Sequence, residues 1–172
     1  MSDVYVTAPG GATFHLIHDA AANARLPARR FERGHSVDQQ ADAYILVDGV
    51  RIEPLRISGF RLAFFLPAQG REIALCSKIF VPAQACLDNS DRRDLGLAVG
   101  WLQIDGEMVA IDRDEACGPG WHPAEFEGGR FARRWTRGAA ALPPGARIVI
   151  VDVAGFGQYW RDPREDTAAL SA

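Results

Sequence analysis

The chain has 172 residues, of which 48% are apolar and 24% are charged. This composition is typical of a globular protein with its own core and excludes a disordered chain. The 19 basic and 22 acidic residues give a formal net charge of -3. That balance gives no electrostatic reason to expect nucleic-acid or anionic-membrane binding.

The chain begins with two alternating segments, Val4–Thr7 and residues 13–17, separated by a Pro-Gly-Gly turn. This pattern predicts two short strands. Residues 19–40 lose the alternation, and residues 25–40 are polar and basic. We predict a long surface loop there, with room for a short helix.

Hairpin signals dominate the middle of the chain. An Asp-Gly pair at 48–49 separates Tyr44–Val47 from Val50–Ile52. Asp-Gly favours a type I′ turn, because both central residues of that turn need positive φ. Residues 60–66 and 71–77 alternate around a Pro-Ala-Gln-Gly turn, and this arrangement predicts a second hairpin.

The second half of the chain predicts more antiparallel strands. Residues 95–104 lead through a second Asp-Gly pair into residues 107–111. The stretch 113–129 is rich in glycine and proline and is predicted to be loop. The last predicted strands are Arg130–Thr136, Ala139–Leu142 and residues 146–153.

These patterns predict an all-β protein. The expected architecture is an antiparallel two-layer β-sandwich, jelly-roll or immunoglobulin-like, with about ten short strands and little helix. No linker divides the chain, so residues 1–160 are predicted to form a single domain. Residues 161–172 are charged and then alanine-rich, and we expect a frayed tail.

Three cysteines, Cys76, Cys86 and Cys117, are too few and too irregularly spaced for a disulfide framework. A bridge between Cys76 and Cys86 stays open, but reduced thiols are favoured. No basic segment followed by an apolar run begins the chain, and no apolar run is long enough to span a bilayer. We therefore expect a cytoplasmic protein without a signal peptide or membrane span.

Several segments follow one another in an order that resembles a known family. They include Phe80-Val81-Pro82-Ala83, Asp91-Arg92-Arg93 with Leu95-Gly96, Asp105-Gly106, Gly120-Trp121-His122 and Arg134-Trp135-Thr136. Together they resemble an uncharacterised module at the C-terminal end of Hint-type (hedgehog/intein) proteins of alphaproteobacteria. Similar sequence segments also occur together with some glycosyltransferase-type proteins. The resemblance covers about residues 43–160 and implies an accessory β-rich domain, with no catalytic residues to carry over.

A Hint domain also needs residues that this sequence lacks. These are a nucleophilic Cys or Ser at its first position, a Thr-x-x-His block and a terminal His-Asn pair. None of them occurs in the chain. The resemblance therefore implies the accessory module alone and gives no support for self-splicing.

Aromatic side chains are the first candidates for ligand contact. Exposed rings bind sugars by stacking, whereas most large aromatic residues of a sandwich fill its core. Trp101 lies on an apolar strand face and is predicted to be core. Trp121, in a Gly-Trp-His-Pro corner, and Trp160 are the candidate ligand-binding residues.

His122 and Glu125 form an H-x-x-E pair that could serve acid–base chemistry or hold a metal. Pro123 argues against a regular helix there, and no second histidine lies nearby. His15 and His18, three positions apart on a strand, would point to opposite faces. The pair His122 and Glu125 is therefore a candidate ligand-binding set without a predicted metal.

Asp88, Asp91 and Asp94 are weak candidates for a calcium site, because calcium takes oxygen ligands from such loops. The loop lacks the glycine and the terminal glutamate of an EF-hand, and two arginines interrupt it. A turn with capping carboxylates, or pairing of arginine with aspartate across the loop, is favoured instead. We predict no metal and no cofactor.

The sequence favours a non-catalytic accessory or binding module for a glycan or a protein partner. One alternative is a small carbohydrate-acting enzyme that uses His122 and Glu125. Another is a structural module that forms homo-oligomers by pairing sheet edges, such as the strand before Pro54. No nucleotide-binding or hydrolase signature occurs.

Overall fold

A computed structural model gives the backbone of residues 4–7, 13–16, 36–58, 60–85 and 89–161. Side chains are described for residues 39–55, 57, 60–84 and 89–159. No helix in these ranges has the length and apolar character needed to cross a bilayer. The fold is an antiparallel two-layer β-sandwich, so the predicted all-β class is confirmed.

The described strands, in chain order, are β1 (Val4–Thr7), β2 (Thr13–Leu16), β3 (Ser36–Asp38), β4 (Tyr44–Val47), β5 (Val50–Ile52), β6 (Leu55–Ser58), β7 (Arg61–Phe65), β8 (Ile73–Cys76), β9 (Ala98–Ile104), β10 (Glu107–Val109), β11 (Trp121–Glu127), β12 (Arg130–Thr136), β13 (Ala139–Leu142), β14 (Ile148–Gly155) and β15 (Tyr159–Arg161). One helical turn, α1 (Pro82–Ala85), and one 3₁₀ turn, Asp114–Ala116, complete the described elements.

Two sheets form the sandwich. The larger has seven strands in the order β11-β12-β9-β14-β7-β6, with β10 added on β9. The smaller has the order β13-β8-β4-β5. Two separate pairs, β1 with β2 and β3 with β15, lie outside these sheets. The core fills the space between the sheets, because alternate residues of each strand are apolar; its fully buried members include Ile45, Phe64, Leu75, Leu97, Val99, Val149 and Val151.

Both Asp-Gly turns have the predicted backbone. Asp48 and Asp105 have φ of 48° and 51°, and the glycines after them have φ of 82° and 91°. Each aspartate side chain also fastens its turn to a neighbouring segment. Asp48 accepts hydrogen bonds from the backbone N–H groups of residues 71 and 72, and Asp105 accepts them from residues 147 and 148.

The predicted hairpin between residues 60–66 and 71–77 is wrong. β7 pairs with β14 and β6 in the large sheet, whereas β8 pairs with β4 and β13 in the small sheet. The Pro-Ala-Gln-Gly segment therefore crosses between layers. The reason is burial: the apolar faces of β7 and β8 meet across the core, where two layers exclude more water than one hairpin.

The segment 113–129 is also not all loop, because it contains β11. This strand lies at the edge of the large sheet and tolerates Pro123 there, since an edge strand need not use every backbone N–H. Irregularities between Trp121 and Ala124 and between Glu125 and Phe126 bend the strand.

Part of the predicted 19–40 loop is a strand as well. β3 pairs with β15, so Arg161, assigned to the predicted tail, also belongs to a described strand. Residues 17–35 and 162–172 lie outside the described residues. The two described cysteines, Cys76 and Cys117, are free thiols, and burial raises the pKa of each. Cys86 lies outside the described residues.

Candidate functional site

A pocket of about 360 Å³ lies where the loop of residues 89–95 meets strands β11 and β12. We call it the Glu125 pocket. It combines aromatic rings with planar polar side chains. Its lining residues are Phe80, Pro82, Asn89, Asp91, Arg93, Leu95, Glu125, Arg133, Trp135, Phe156 and Gln158.

The Glu125 carboxylate is the centre of a hydrogen-bonded network. Arg93 donates from Nη2 to Oε1 at 2.8 Å, and Arg133 donates from Nε to Oε2 at 2.9 Å. The indole Nε1 of Trp135 donates to Oε2 at 3.3 Å. Both carboxylate oxygens are therefore occupied, and three planar groups are held around one acid.

Strand pairing and local turns place these groups. Glu125 and Arg133 are directly opposite each other on β11 and β12, a position where opposite charges attract. In the loop, Asn89 accepts a hydrogen bond from the backbone N–H of Asp91, and Asp91 accepts one from that of Arg93. Such side-chain turns are typical of Asn and Asp, and they aim Arg93 at Glu125.

Arg93 also pairs with Asp91, through Nη2 to Oδ2 at 2.7 Å. The predicted pairing of arginine with aspartate in this loop is thus confirmed for these two residues. The pocket contains two arginines and two carboxylates, Arg93 and Arg133 against Asp91 and Glu125. Its lining residues are therefore balanced in charge.

Ion pairing keeps both pocket acids ionised. Burial raises the pKa of Glu125, but hydrogen bonds from Arg93 and Arg133 outweigh it, and the net pKa is below the ordinary value. The pKa of Asp91 is lowered chiefly by its hydrogen bond from Arg93. Glu125 is consequently a poor proton donor near neutral pH.

The lowered pKa values predict a loss of stability in acid. A carboxyl group with a lower pKa in the folded chain stabilises it above the unfolded pKa, and this contribution is lost as pH falls through the folded pKa. We expect the free energy of unfolding to decline below about pH 5. Urea titrations from neutral to acidic pH measure this decline. In Glu125→Gln the free energy of unfolding should fall less with decreasing pH than in the wild type. In the exposed control Glu107→Gln it should fall as much as in the wild type. Equal pH dependence in all three proteins would contradict this assignment.

Aromatic rings form the other wall of the pocket. Phe80 contacts Trp135 edge-on, with ring centroids 5.6 Å apart, and contacts Tyr159 at 5.7 Å. Phe156 packs against Phe60 at 5.3 Å. These contacts hold the rings before any ligand arrives, because each aromatic pair adds to packing beyond simple burial.

His122 does not line the pocket. It is 5% exposed, and its Nε2 donates to the carbonyl oxygen of Asp94 at 2.8 Å. The irregularity between Trp121 and Ala124 breaks the strand alternation, so His122 and Glu125 both contact the 89–95 loop. The H-x-x-E pair fastens this loop to β11 and does not form a converging acid–base pair.

Trp121, a candidate ligand-binding residue, is 8% exposed and belongs to the core, so its ring offers no exposed face for stacking. Its indole Nε1 donates to the carbonyl oxygen of Ala141 in the neighbouring strand β13. The preceding Gly120, with φ of 89°, turns the chain so that the ring enters the space between the sheets. Trp160 has only its backbone described, in β15.

No metal site is formed by the residues that the structure covers. No group of three or more His, Cys, Asp or Glu side chains in this part of the chain could hold an ion. Asp91 is paired with Arg93, and Asp94 is exposed and offers its carbonyl oxygen to His122. Asp88 lies outside the described residues.

Comparison with known proteins gives no assignment, since no family model, curated protein or solved structure matches this chain. The resemblance to the Hint-associated module therefore stays a prediction. Function has to be argued from the pocket itself.

Sequence reasoning did not select Arg93, Arg133 or Trp135 as candidate site residues, yet all three line the Glu125 pocket. The predicted strand over Arg130–Thr136 contained a usable signal, because residues 133 and 135 must share one face of it. The partners from the 89–95 loop had no such signal. Arg93 of that loop lies 32 positions away from Glu125, and only the fold brings the two together.

Proposed function

We propose that the protein is a non-catalytic module that binds a glycan in the Glu125 pocket. The observation that carries this proposal is the combination of aromatic rings with planar hydrogen-bonding groups around one small pocket. A sugar ring has an apolar C–H face, which packs on aromatic rings, and hydroxyls that donate and accept hydrogen bonds. Carboxylates accept such bonds, guanidinium groups donate them, and amides such as Asn89 and Gln158 do both.

The charge balance of the pocket favours an uncharged sugar. Arg93 and Arg133 both bind Glu125, so neither offers an unpaired positive charge to an anionic ligand. Arg133 additionally pairs with Glu127 at 2.8 Å. An acidic sugar would have to displace these carboxylates, whereas a neutral hydroxyl can share their lone pairs and N–H groups.

The same contacts argue against the small carbohydrate-acting enzyme. Glycoside hydrolysis needs one carboxyl group with a raised pKa as the general acid. The pKa of Glu125 is lowered instead, and both of its oxygens are occupied. His122 is buried and hydrogen-bonded to a backbone carbonyl.

Glycan binding can be tested by array screening followed by calorimetry on the best neutral ligand. We expect Trp135→Ala to weaken binding by at least about tenfold, which corresponds to ~1.4 kcal/mol. Trp135→Phe keeps a ring but removes the indole N–H, so an intermediate loss is expected. The control Phe126→Ala removes a 56% exposed ring that does not line the pocket and should leave affinity unchanged.

Two results would contradict the proposal. One is the absence of binding to any glycan on the array. The other is binding that both Trp135→Ala and Arg93→Met leave unchanged, because the ligand would then sit elsewhere. Release of new reducing ends from a bound glycan, lost in Glu125→Gln, would favour the enzymatic alternative.

A further inference from the structure

An exposed aromatic ring, that of Phe60, lies next to the Glu125 pocket. Phe60 is 61% exposed, and its ring packs against the ring of Phe156, with centroids 5.3 Å apart. Phe156 lines the pocket, whereas Phe60 does not. The ring of Phe60 therefore continues the aromatic wall of the pocket beyond the residues that line it.

This position distinguishes Phe60 from the other exposed phenylalanines. Phe65 is also 61% exposed, and Phe126 is 56% exposed. The ring of Phe126 packs on that of Phe131, which does not line the pocket. In the part of the chain that the structure describes, no ring contact joins Phe65 to a pocket residue. Among these three exposed rings, only that of Phe60 extends the pocket.

Two neighbouring strands position both rings. Phe60 immediately precedes β7, and its carbonyl oxygen accepts a hydrogen bond from the N–H of Val153 in β14 at 3.0 Å. Phe156 immediately follows β14. Because β7 and β14 are paired, the backbone holds Phe60 beside Phe156. A ligand that covers both rings therefore has little ordering cost to overcome.

The angle between the two rings limits the ligand that can cover both. The planes of Phe60 and Phe156 are tilted by 60°. A single sugar ring is rigid, so its flat C–H face can pack on only one of these planes. Two linked sugar rings can rotate about their glycosidic bond and can face one plane each. The pair of rings therefore suits a chain of sugars and not a monosaccharide.

We propose that the Glu125 pocket binds one residue of an oligosaccharide and that Phe60 stacks on a neighbouring residue of the same glycan. This inference rests on the proposed glycan binding and adds a second subsite to it. The pocket supplies hydrogen bonds from groups such as Arg93 and Glu125, and Phe60 supplies an apolar contact. Because one ligand carries both contacts, the second forms without a further loss of translational freedom. Oligosaccharides therefore bind more tightly than monosaccharides.

Calorimetry with neutral glycans of increasing length tests the second subsite. The probes are the malto-, cello- and chitin-oligosaccharide series, each from the monosaccharide to the hexasaccharide. The wild type should bind the trisaccharide of its preferred series at least about tenfold more tightly than the monosaccharide. Phe60→Ala should lose most of this gain but keep the affinity for the monosaccharide, which also shows that the variant is folded. Phe65→Ala is the matched control, since it removes an equally exposed ring at the other end of β7 and should keep the gain.

Two further variants of Phe60 separate stacking from simple burial of apolar surface. Phe60→Trp keeps an aromatic face and should retain the gain in affinity with length, whereas Phe60→Leu should lose it. Equal affinity of the wild type for monosaccharides and longer glycans would overturn the second subsite and leave the pocket as a site for one sugar. A gain with length that Phe60→Ala does not reduce would also overturn it. Absence of binding to all three series would overturn the oligosaccharide proposal, and absence of binding on the array would overturn glycan binding as well.

Discussion

Arg134→Met should lower the free energy of unfolding by about 3 kcal/mol. The Arg134 side chain is buried, with 5% of its surface exposed. Its Nε donates to the carbonyl oxygen of His122 at 2.6 Å, and its Nη1 donates to that of Ile111 at 3.1 Å. Nη2 pairs with the carboxylate of Asp114, whose side chain is 79% exposed. Methionine fills similar space but leaves two buried carbonyl oxygens without a donor.

Urea denaturation of three variants would check this expectation. The neighbouring Arg133→Met removes a partly exposed arginine from the same strand, and we expect a loss of about 1 kcal/mol or less. Arg134→Lys keeps the charge but loses the forked donor geometry, so its loss should be intermediate. Equal destabilisation by Arg133→Met and Arg134→Met would show that burial of Arg134 is not what makes it important.

The role of Arg134 extends to the pocket. It holds the backbone of His122, and the His122 ring holds the carbonyl oxygen of Asp94 in the 89–95 loop. Arg93 of that loop then reaches Glu125. A buried arginine thus positions one wall of the Glu125 pocket through two intermediate hydrogen bonds.

Local chemistry in the sequence was enough to predict much of the fold. The two Asp-Gly turns follow from the need for positive φ at both central residues, and the alternation of apolar residues indicates most strands. Local sequence patterns do not show which of the two sheets each strand joins. β7 and β8 are close in sequence but belong to different layers, because burial between the layers decides their pairing. β11 was missed because proline is tolerated at a sheet edge.

The pocket was predictable in part. The sequence singles out Glu125, but among the tryptophans its local pattern favours Trp121 over Trp135. In β12 the usual hydrophobic pattern is reversed, since Arg134 is buried and Trp135 is partly exposed beside the pocket. Such a reversal depends on buried carbonyl groups contributed by β11 and the segment before Asp114, and no local pattern encodes them.

Replacing Gly120 by alanine should also destabilise the fold strongly, and Gly106 is a matched control for it. Both have positive φ, 89° and 91°. A Cβ atom at Gly106 would meet nothing within 4 Å, whereas one at Gly120 would lie 1.9 Å from the carbonyl oxygen of Ala139. It would also lie 2.8 Å from the Cα atom of Ala140. These are backbone atoms of β13, so they cannot move aside as a flexible side chain would.

We therefore expect Gly106→Ala to cost about 1–2 kcal/mol, the penalty for a side chain in the left-handed region. Gly120→Ala should cost more than about 4 kcal/mol, because it adds a backbone clash to the same penalty. The clash must push β13 away from residues 119–120, and the hydrogen bond from the N–H of Ala141 to the carbonyl oxygen of Pro119 would break. Urea denaturation of the two variants measures the difference directly. Equal losses would show that the close approach of Gly120 to β13 is not needed for the fold.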